Sequence, residues 1–265
     1  MDSGFDERLF IQGRGEHCFM KILNLDPEKE RAFEKLREDG LRLHVPIMEQ
    51  LWKLEVFDKD GSLVEIMHKR AESWVRSAYN MLFSIMATKG ATGSGYGAGS
   101  LQMRRTNGTV NASSITTNDQ SMSAVTNITD DAHASTGIRP TGGVDNFGIQ
   151  VGSDSVAESF EQHALGALIT NGTESGQLSY VAGEAPVMTY VAGTRTLSVE
   201  WRRFLNNNSD GNVLVREIGI VRAYYPFGAT LQRIMLSRDR LPAEITVPPV
   251  GQLRVTYTFQ ITYPA

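Results

Sequence analysis

The closing stretch of the chain, residues 251–263, reads GQLRVTYTFQITY. Six apolar side chains alternate strictly with polar ones along it: Leu253, Val255, Tyr257, Phe259, Ile261 and Tyr263. Because successive side chains of a strand point to opposite faces, the alternation predicts a long strand with one buried face. A lone strand is not stable in water, so its partners must lie upstream.

The C-terminal half supplies further candidate strands. Residues 194–205 alternate, which predicts that Leu197, Val199, Trp201 and Leu205 point inward. Residues 213–222 are partly apolar on both faces, which is typical of a central strand. Shorter candidates lie at 147–151, 164–169, 177–182, 231–236 and 244–247. About seven strands separated by turn signals predict an antiparallel β-sandwich or jelly roll over residues 138–265.

Residues 1–90 predict an α+β part with a role in assembly or anchoring. Asp26 is a favourable helix N-cap and Pro27 suits the first helical position, while Gly40 is suited to end the helix. We therefore expect a surface helix over residues 27–39. The sole cysteine, Cys18, excludes an intrachain disulfide, and we expect it to be a small buried hydrophobe.

A hairpin is predicted next. Residues 51–57 and 62–67 flank the turn Asp58-Lys-Asp-Gly61. Asp58, Asp60 and Ser62 have the spacing of a calcium loop, but Lys69 stands where that loop needs a glutamate. The plain turn is the better interpretation.

Residues 71–87, AESWVRSAYNMLFSIMA, carry the strongest helix signal, with apolar residues at spacings of three and four. The apolar arc is wide for a surface helix, so the helix is either deeply buried or part of a subunit contact. An aromatic and Met-rich stripe is more often core. Under the second interpretation the packing or interface anchors are Trp74, Tyr79, Leu82, Phe83 and Met86.

Residues 91–137 are rich in Gly, Ser, Thr and Asn. Residues 101–105 and 109–110 flank Asn107-Gly108 and predict a hairpin. We expect the remainder to be an exposed excursion that contacts neighbours or solvent. The run GSGYGAG at 93–99 is similar to a phosphate-binding loop, but no strand leads in and no helix follows, which argues against nucleotide binding.

Composition excludes several partners. The net charge of -4 provides no basic field for nucleic-acid phosphates, so no specific nucleic acid is expected. No apolar run approaches the length of a membrane span, and the N-terminus lacks the pattern of a signal peptide.

No chemistry-bearing constellation emerges from the sequence. The five histidines, at 17, 44, 68, 133 and 163, show no metal-ligand spacing, so we predict no catalytic residue, no cofactor and no metal. Arg202 and Arg203 lie near Glu200, and Arg216 adjoins Glu217; we expect solvated strand faces or interface ion pairs. Two carboxylates facing each other across a groove, as in a glycosidase, would leave no local sign.

Several longer motifs carry a resemblance. They are the Asn-rich turn at 206–208, Val-x-Glu-Ile-Gly at 215–219, Arg-Asp-x-Leu-Pro at 238–242 and Val-Pro-x-x-Gly-x-Leu at 247–253. Together with the helix SWVRSAYNMLFSIM, they span most of the chain. The chain resembles a group of virion structural proteins of tailed bacteriophages, found among head–tail junction, neck and tail components.

The resemblance implies a non-enzymatic structural protein at the head–tail junction, as a neck, collar or connector component. Such a protein forms homo-oligomers, binds connector, capsid or tail proteins, and is assembled into the virion in the host cytoplasm. One alternative is capsid decoration or a tail-fibre receptor-binding module, in which Tyr224 and Tyr225 would meet a host glycan. A third is a β-sandwich polysaccharide hydrolase.

Overall fold

The computed structural model describes residues 21–23, 26–71, 73–87, 101–111, 137–224 and 231–264. Cys18, the glycine-rich run at 93–99 and Tyr225 lie outside these residues. The elements, in chain order, are β1 (Lys21–Leu23), α1 (Pro27–Leu43), β2 (Ile47–Phe57), β3 (Leu63–Arg70), α2 (Arg76–Ala87), β4 (Met103–Arg104), β5 (Val110–Asn111), β6 (Gly148–Gly152), β7 (Ser179–Tyr180), β8 (Val187–Val191), β9 (Thr196–Asn206), β10 (Val213–Tyr224), β11 (Gln232–Val247) and β12 (Gln252–Thr262).

The closing strand β12 lies in the middle of a seven-stranded sheet, the large sheet, with the order β1-β3-β2-β12-β9-β7 and with β8 also paired to β9. β12 is antiparallel to β2 on one side and to β9 on the other along its whole length. Leu253, Val255 and Tyr257 are fully buried, which confirms the predicted inward face. Near the chain end the described residues leave that face partly exposed, and Tyr263 is 40% exposed.

A three-stranded antiparallel sheet, the small sheet, has the order β11-β10-β6. β10 is the central strand, as its two apolar faces predict. β11 runs unbroken through Pro242, where the sequence predicts two strands. Proline is tolerated because the pairing with β10 is irregular there: Arg240 lies opposite Glu217 and Ile245 lies opposite Val215, so Pro242 falls between paired residues.

The two sheets share one hydrophobic core. The large sheet contributes Trp52, Leu54, Val56, Leu253, Val255 and Tyr257, and the small sheet contributes Val213, Val215, Ile218, Ile220, Ile245 and Val247. The mainly β class is confirmed. The division of the chain at residues 90 and 137 stays a prediction, and strands from both sides of that division lie in the large sheet.

Both predicted helices exist, with corrected ends. Asp26 caps α1, accepting a hydrogen bond from the Glu28 amide at 2.9 Å. Gly40 does not end the helix, which continues to Leu43 and is capped by His44 in the left-handed region. Gly40 is buried instead, and a Cβ there would lie 2.5 Å from Cγ1 of Ile47, so glycine permits close packing of α1 on β2.

The second helix starts five residues later than predicted, at Arg76 rather than 71. The preceding residues extend the small sheet instead: Trp74 forms a bridge with Ser237 of β11, and the Val75 amide donates to the Leu236 carbonyl at 3.2 Å. Tertiary pairing thus overrides the local helical pattern.

Several strand predictions also need correction. The predicted hairpins, β2–β3 and β4–β5, are both present. Residues 164–169, predicted as a strand, form a loop with one bridge between Leu168 and Gly152. Of the predicted strand 177–182, the two residues of β7 are in strand conformation. Strand β8 was not predicted, because its sequence, VMTYV, does not alternate between apolar and polar residues. All five of its residues are exposed.

Candidate protein-interaction surface

Helix α2 is oriented with its small polar side chains inward and its aromatic side chains outward. Ser77, Asn80 and Ser84 are 0%, 8% and 1% exposed, whereas Tyr79 and Phe83 are 49% and 58% exposed. A surface helix normally shows the opposite distribution. The described residues therefore leave its aromatic face unburied.

Hydrogen bonds explain why the polar side chains point inward. The Asn80 side-chain amide donates to the Gln102 carbonyl at 2.6 Å, and the Ser77 hydroxyl accepts from the Arg104 amide at 3.1 Å. Both bonds tie α2 to the backbone of the β4–β5 hairpin and of the residue before it. These bonds fix the rotation of the helix and hence the outward direction of its aromatic residues.

Three aromatic rings around α2 form a contact chain. The ring centroids of Trp74 and Tyr79 are 5.7 Å apart, and those of Tyr79 and Phe160 are 5.9 Å apart. Phe83 lies one turn beyond Tyr79 on the same helix face. We call Trp74, Tyr79, Phe83 and Phe160 the aromatic surface. Trp74 also touches Phe259 of β12 at 6.0 Å, so this surface adjoins the inner face of the large sheet.

Two hollows flank the aromatic surface, and both are lined by Trp74 and Tyr79. The larger has a volume of about 440 Å³, with further walls from Ser73, Glu158, Ser159 and Phe160. The smaller, of about 240 Å³, has further walls from Phe33, Met48, Glu49, Gln50, Arg70, Ala71 and Leu82. Trp74 and Tyr79 therefore lie between two concave regions of the surface.

The predicted anchor residues differ in their exposure to solvent. Trp74 and Leu82 are half-buried and line the hollows, while Tyr79 and Phe83 are exposed. The side chain of Met86 lies outside the described residues. Phe160 was missed, because it is in a loop and no periodic pattern marks it. The use of these residues as an interface stays a prediction.

A buried ion pair holds the loop that carries Phe160. Glu217 of β10 and Arg238 of β11 are both fully buried, with Oε2 and Nε 2.6 Å apart. Glu217 also accepts from the Gly166 and Ala167 amides at 3.1 and 2.9 Å. Arg238 donates to the Val156 carbonyl at 3.1 Å. The two charges thus fasten both ends of the loop, and the expectation that Glu217 belongs to a solvated or interface pair is wrong.

Arg203 is 1% exposed, so the expectation that it lies on a solvated strand face or in an interface ion pair is wrong. Its guanidinium donates to the carbonyls of Val181 at 2.9 Å and Ile149 at 3.1 Å, and stacks 4.7 Å from the Tyr180 ring centroid. Burial lowers the pKa of Arg203 to about 10. Through these bonds Arg203 links the backbone of β6, at Ile149, to the loop that follows β7, at Val181.

The neighbouring arginines behave as expected for partly solvated strand faces. Arg202 pairs with Glu184 at 3.0 Å and with Glu200 at 3.4 Å, all partly exposed. Arg216 pairs with Glu244 at 2.6 Å, also partly exposed.

The turn after β2 is the plain turn that the sequence favours. Oδ1 of Asp58 accepts from the amides of Asp60 and Ser62, both at 2.9 Å. Its carboxylate is therefore used by the backbone, as in other Asx turns.

The described residues contain no group of three or more His, Cys, Asp or Glu side chains placed to hold a metal ion. Burial lowers the pKa values of His68 and His163. Of the described helices, neither is long and apolar enough to cross a membrane.

Fold and surface together define a class: a mainly β protein that presents a rigidly backed aromatic surface. No family model, curated protein or solved structure matches the chain.

Proposed function

We propose that this chain is a non-enzymatic structural protein of a tailed-phage virion, located at the head–tail junction as a neck, collar or connector component. It acts by forming homo-oligomers and by binding connector, capsid or tail proteins. The observation that carries the proposal is the outward aromatic face of α2, with Tyr79 and Phe83 about half exposed.

Exposed aromatic residues in a contiguous patch are typical of protein–protein contacts, where they supply most of the binding energy. Here the patch is held in place by the bonds of Asn80 and Ser77 and by the Glu217–Arg238 pair. A preorganised surface loses little conformational entropy on association.

For the fold, we propose the antiparallel sandwich: the large and small sheets face each other across their shared core. The motifs that carry the phage resemblance lie in this frame. Residues 215–219 belong to β10, residues 238–242 to β11, and residues 247–253 lead from β11 into β12. The resemblance therefore supports a shared frame, and the aromatic surface supports the assembly role.

The alternatives have less support. Tyr224 is 3% exposed, so the expectation that it meets a host glycan is wrong. A hydrolase needs two carboxylates facing each other across a groove. Among the described residues lining the larger hollow, Glu158 is the one carboxylate, and its Oε1 accepts from the Arg240 amide at 2.8 Å.

The test is to label purified virions with gold-conjugated antibodies against this protein and to view them by electron microscopy. We expect label at the junction between head and tail. Label over the capsid or at the fibre tips would support the decoration or receptor-binding alternative. Virions without label, when denatured virions also lack the protein on an immunoblot, would contradict the proposal.

A further inference from the structure

Among the described residues, strand β8 forms an apolar edge of the large sheet that no further strand covers. All five residues of Val187–Val191 are exposed, Met188 by 69% and Tyr190 by 54%, and none carries a charge. β8 pairs with β9 on one side, and no strand of the described residues pairs with its other side.

Edge strands of natural proteins are usually protected by charges, prolines or a covering segment, because an open edge is a template for another chain. The edge of the small sheet shows such protection. There the Val75 amide donates to the Leu236 carbonyl, and the Arg238 amide donates to the Ser73 carbonyl, at 3.2 Å each. Within the part of the chain that the structure describes, β8 has no equivalent cover.

We propose that β8 pairs antiparallel with β8 of a second copy of this chain, about a two-fold axis through Thr189. The strand reads VMTYV, which is nearly symmetric about its centre. In this register Val187 lies opposite Val191 of the second copy, Met188 lies opposite Tyr190, and Thr189 lies opposite itself. A surface that is complementary to itself in this way is what an isologous dimer requires.

Surrounding side chains extend the contact beyond the strand. Tyr190 pairs in register with Leu197, Leu197 with Ile261, and Ile261 with Met48. Tyr190 also touches Tyr263, with ring centroids 6.3 Å apart. This row of apolar side chains crosses the end of the large sheet that the described residues leave partly exposed, and Met188 flanks it. Edge pairing aligns the rows of two copies into one apolar surface.

The biological role of this dimer rests on the proposed function, because a virion protein at the head–tail junction must hold copies of itself. The pairing geometry itself does not depend on that role. A five-residue strand is short for an interface, so we expect reversible and concentration-dependent pairing. The aromatic surface on α2 remains free for other contacts.

The test uses Thr189→Lys and Thr189→Glu in the full chain, followed by sedimentation velocity over a range of concentrations. Because Thr189 is exposed and opposite itself, each variant alone places like charges face to face, and we expect self-association to weaken about fivefold or more. An equal mixture of the two places lysine opposite glutamate, and we expect association to be restored. The control is Thr246→Lys, at a half-buried position on the edge strand of the small sheet, which should leave self-association unchanged.

Cross-linking provides the second readout. In a Cys18→Ser background, Thr189→Cys should form an intermolecular disulfide under mild oxidation, because directly opposite residues of paired strands lie within disulfide range. Val187→Cys should not link to itself, because the register places it opposite Val191. Unchanged association in both charge variants, or failure of the mixture to recover, would overturn the edge pairing. The gold labelling tests the location of the protein in the virion, so its result does not depend on whether β8 pairs with a second copy.

Discussion

The Glu217–Arg238 pair and the aromatic surface are joined by one loop, yet they invert the usual distribution of polar and apolar groups. The two charged side chains are fully buried, while Tyr79, Phe83 and Phe160 are 49%, 58% and 47% exposed. An isolated soluble subunit would gain more by burying the rings and solvating the charges. From this difference we propose two roles: the buried charges fix the loop, and the exposed rings remain available for contact.

The largest effect should come from breaking the buried pair. We expect Arg238→Met to lower the free energy of unfolding by about 3–5 kcal/mol, because the carboxylate of Glu217 remains buried without its counter-charge. Chemical denaturation followed by circular dichroism measures the loss. Arg238 also bonds the Val156 carbonyl, so the loop carrying Phe160 should loosen as well.

The matched control is Arg216→Met, which removes a partly exposed pair with Glu244 on the same sheet. There we expect a change of about 0–1 kcal/mol. If the two variants lost the same free energy of unfolding, the buried Glu217–Arg238 pair would be no more important for stability than an exposed pair. That result would contradict the structural role assigned to the buried charges.

A smaller effect is expected at Glu55, whose pair with Arg254 is intermediate in exposure, with Oε2 and Nε 2.6 Å apart. Burial favours the neutral carboxyl, but the hydrogen bond from Arg254 and the charges of Lys53 and Arg254 outweigh it and lower the pKa of Glu55 below 4.5. The pair therefore stabilises the fold above pH 4.5, and this contribution is lost as the pH falls through the lowered pKa.

Glu55→Gln should accordingly cost about 1–2 kcal/mol at pH 7 and less in acid, so that the two unfolding curves converge below pH 4.5. Urea unfolding across a pH series checks this, with Glu244→Gln as the exposed control. A constant difference between Glu55→Gln and the parent protein at every pH would contradict the assigned ionisation.

The sequence predicts those features whose cause is local. Alternation locates β12, the Asn107-Gly108 pair locates the β4–β5 hairpin, and Asp26 marks the start of α1. It predicts the later start of α2 incorrectly, because Trp74 and Val75 pair with β11, which is distant in the chain.

The candidate surface was predictable only in part. The wide apolar arc of α2 indicates Tyr79 and Phe83, but Phe160 comes from a loop that distant charges hold. The buried roles of Glu217 and Arg203 were missed, because their partners are backbone groups and an arginine far away in sequence. Strand β8 was missed because neither of its faces is buried, so its sequence, VMTYV, lacks the alternation of apolar and polar residues that marks a strand.

The central claim is that the exposed aromatic surface holds other subunits. Light scattering coupled to size-exclusion chromatography tests it most directly, on the parent protein and on the double variant Tyr79→Ser, Phe83→Ser. Both positions are about half exposed, so the double variant should keep its unfolding free energy within about 1 kcal/mol. We predict an oligomer for the parent protein and a lower mass for the folded double variant. A parent protein that is monomeric at every concentration, or an equal oligomer in both, would contradict the account.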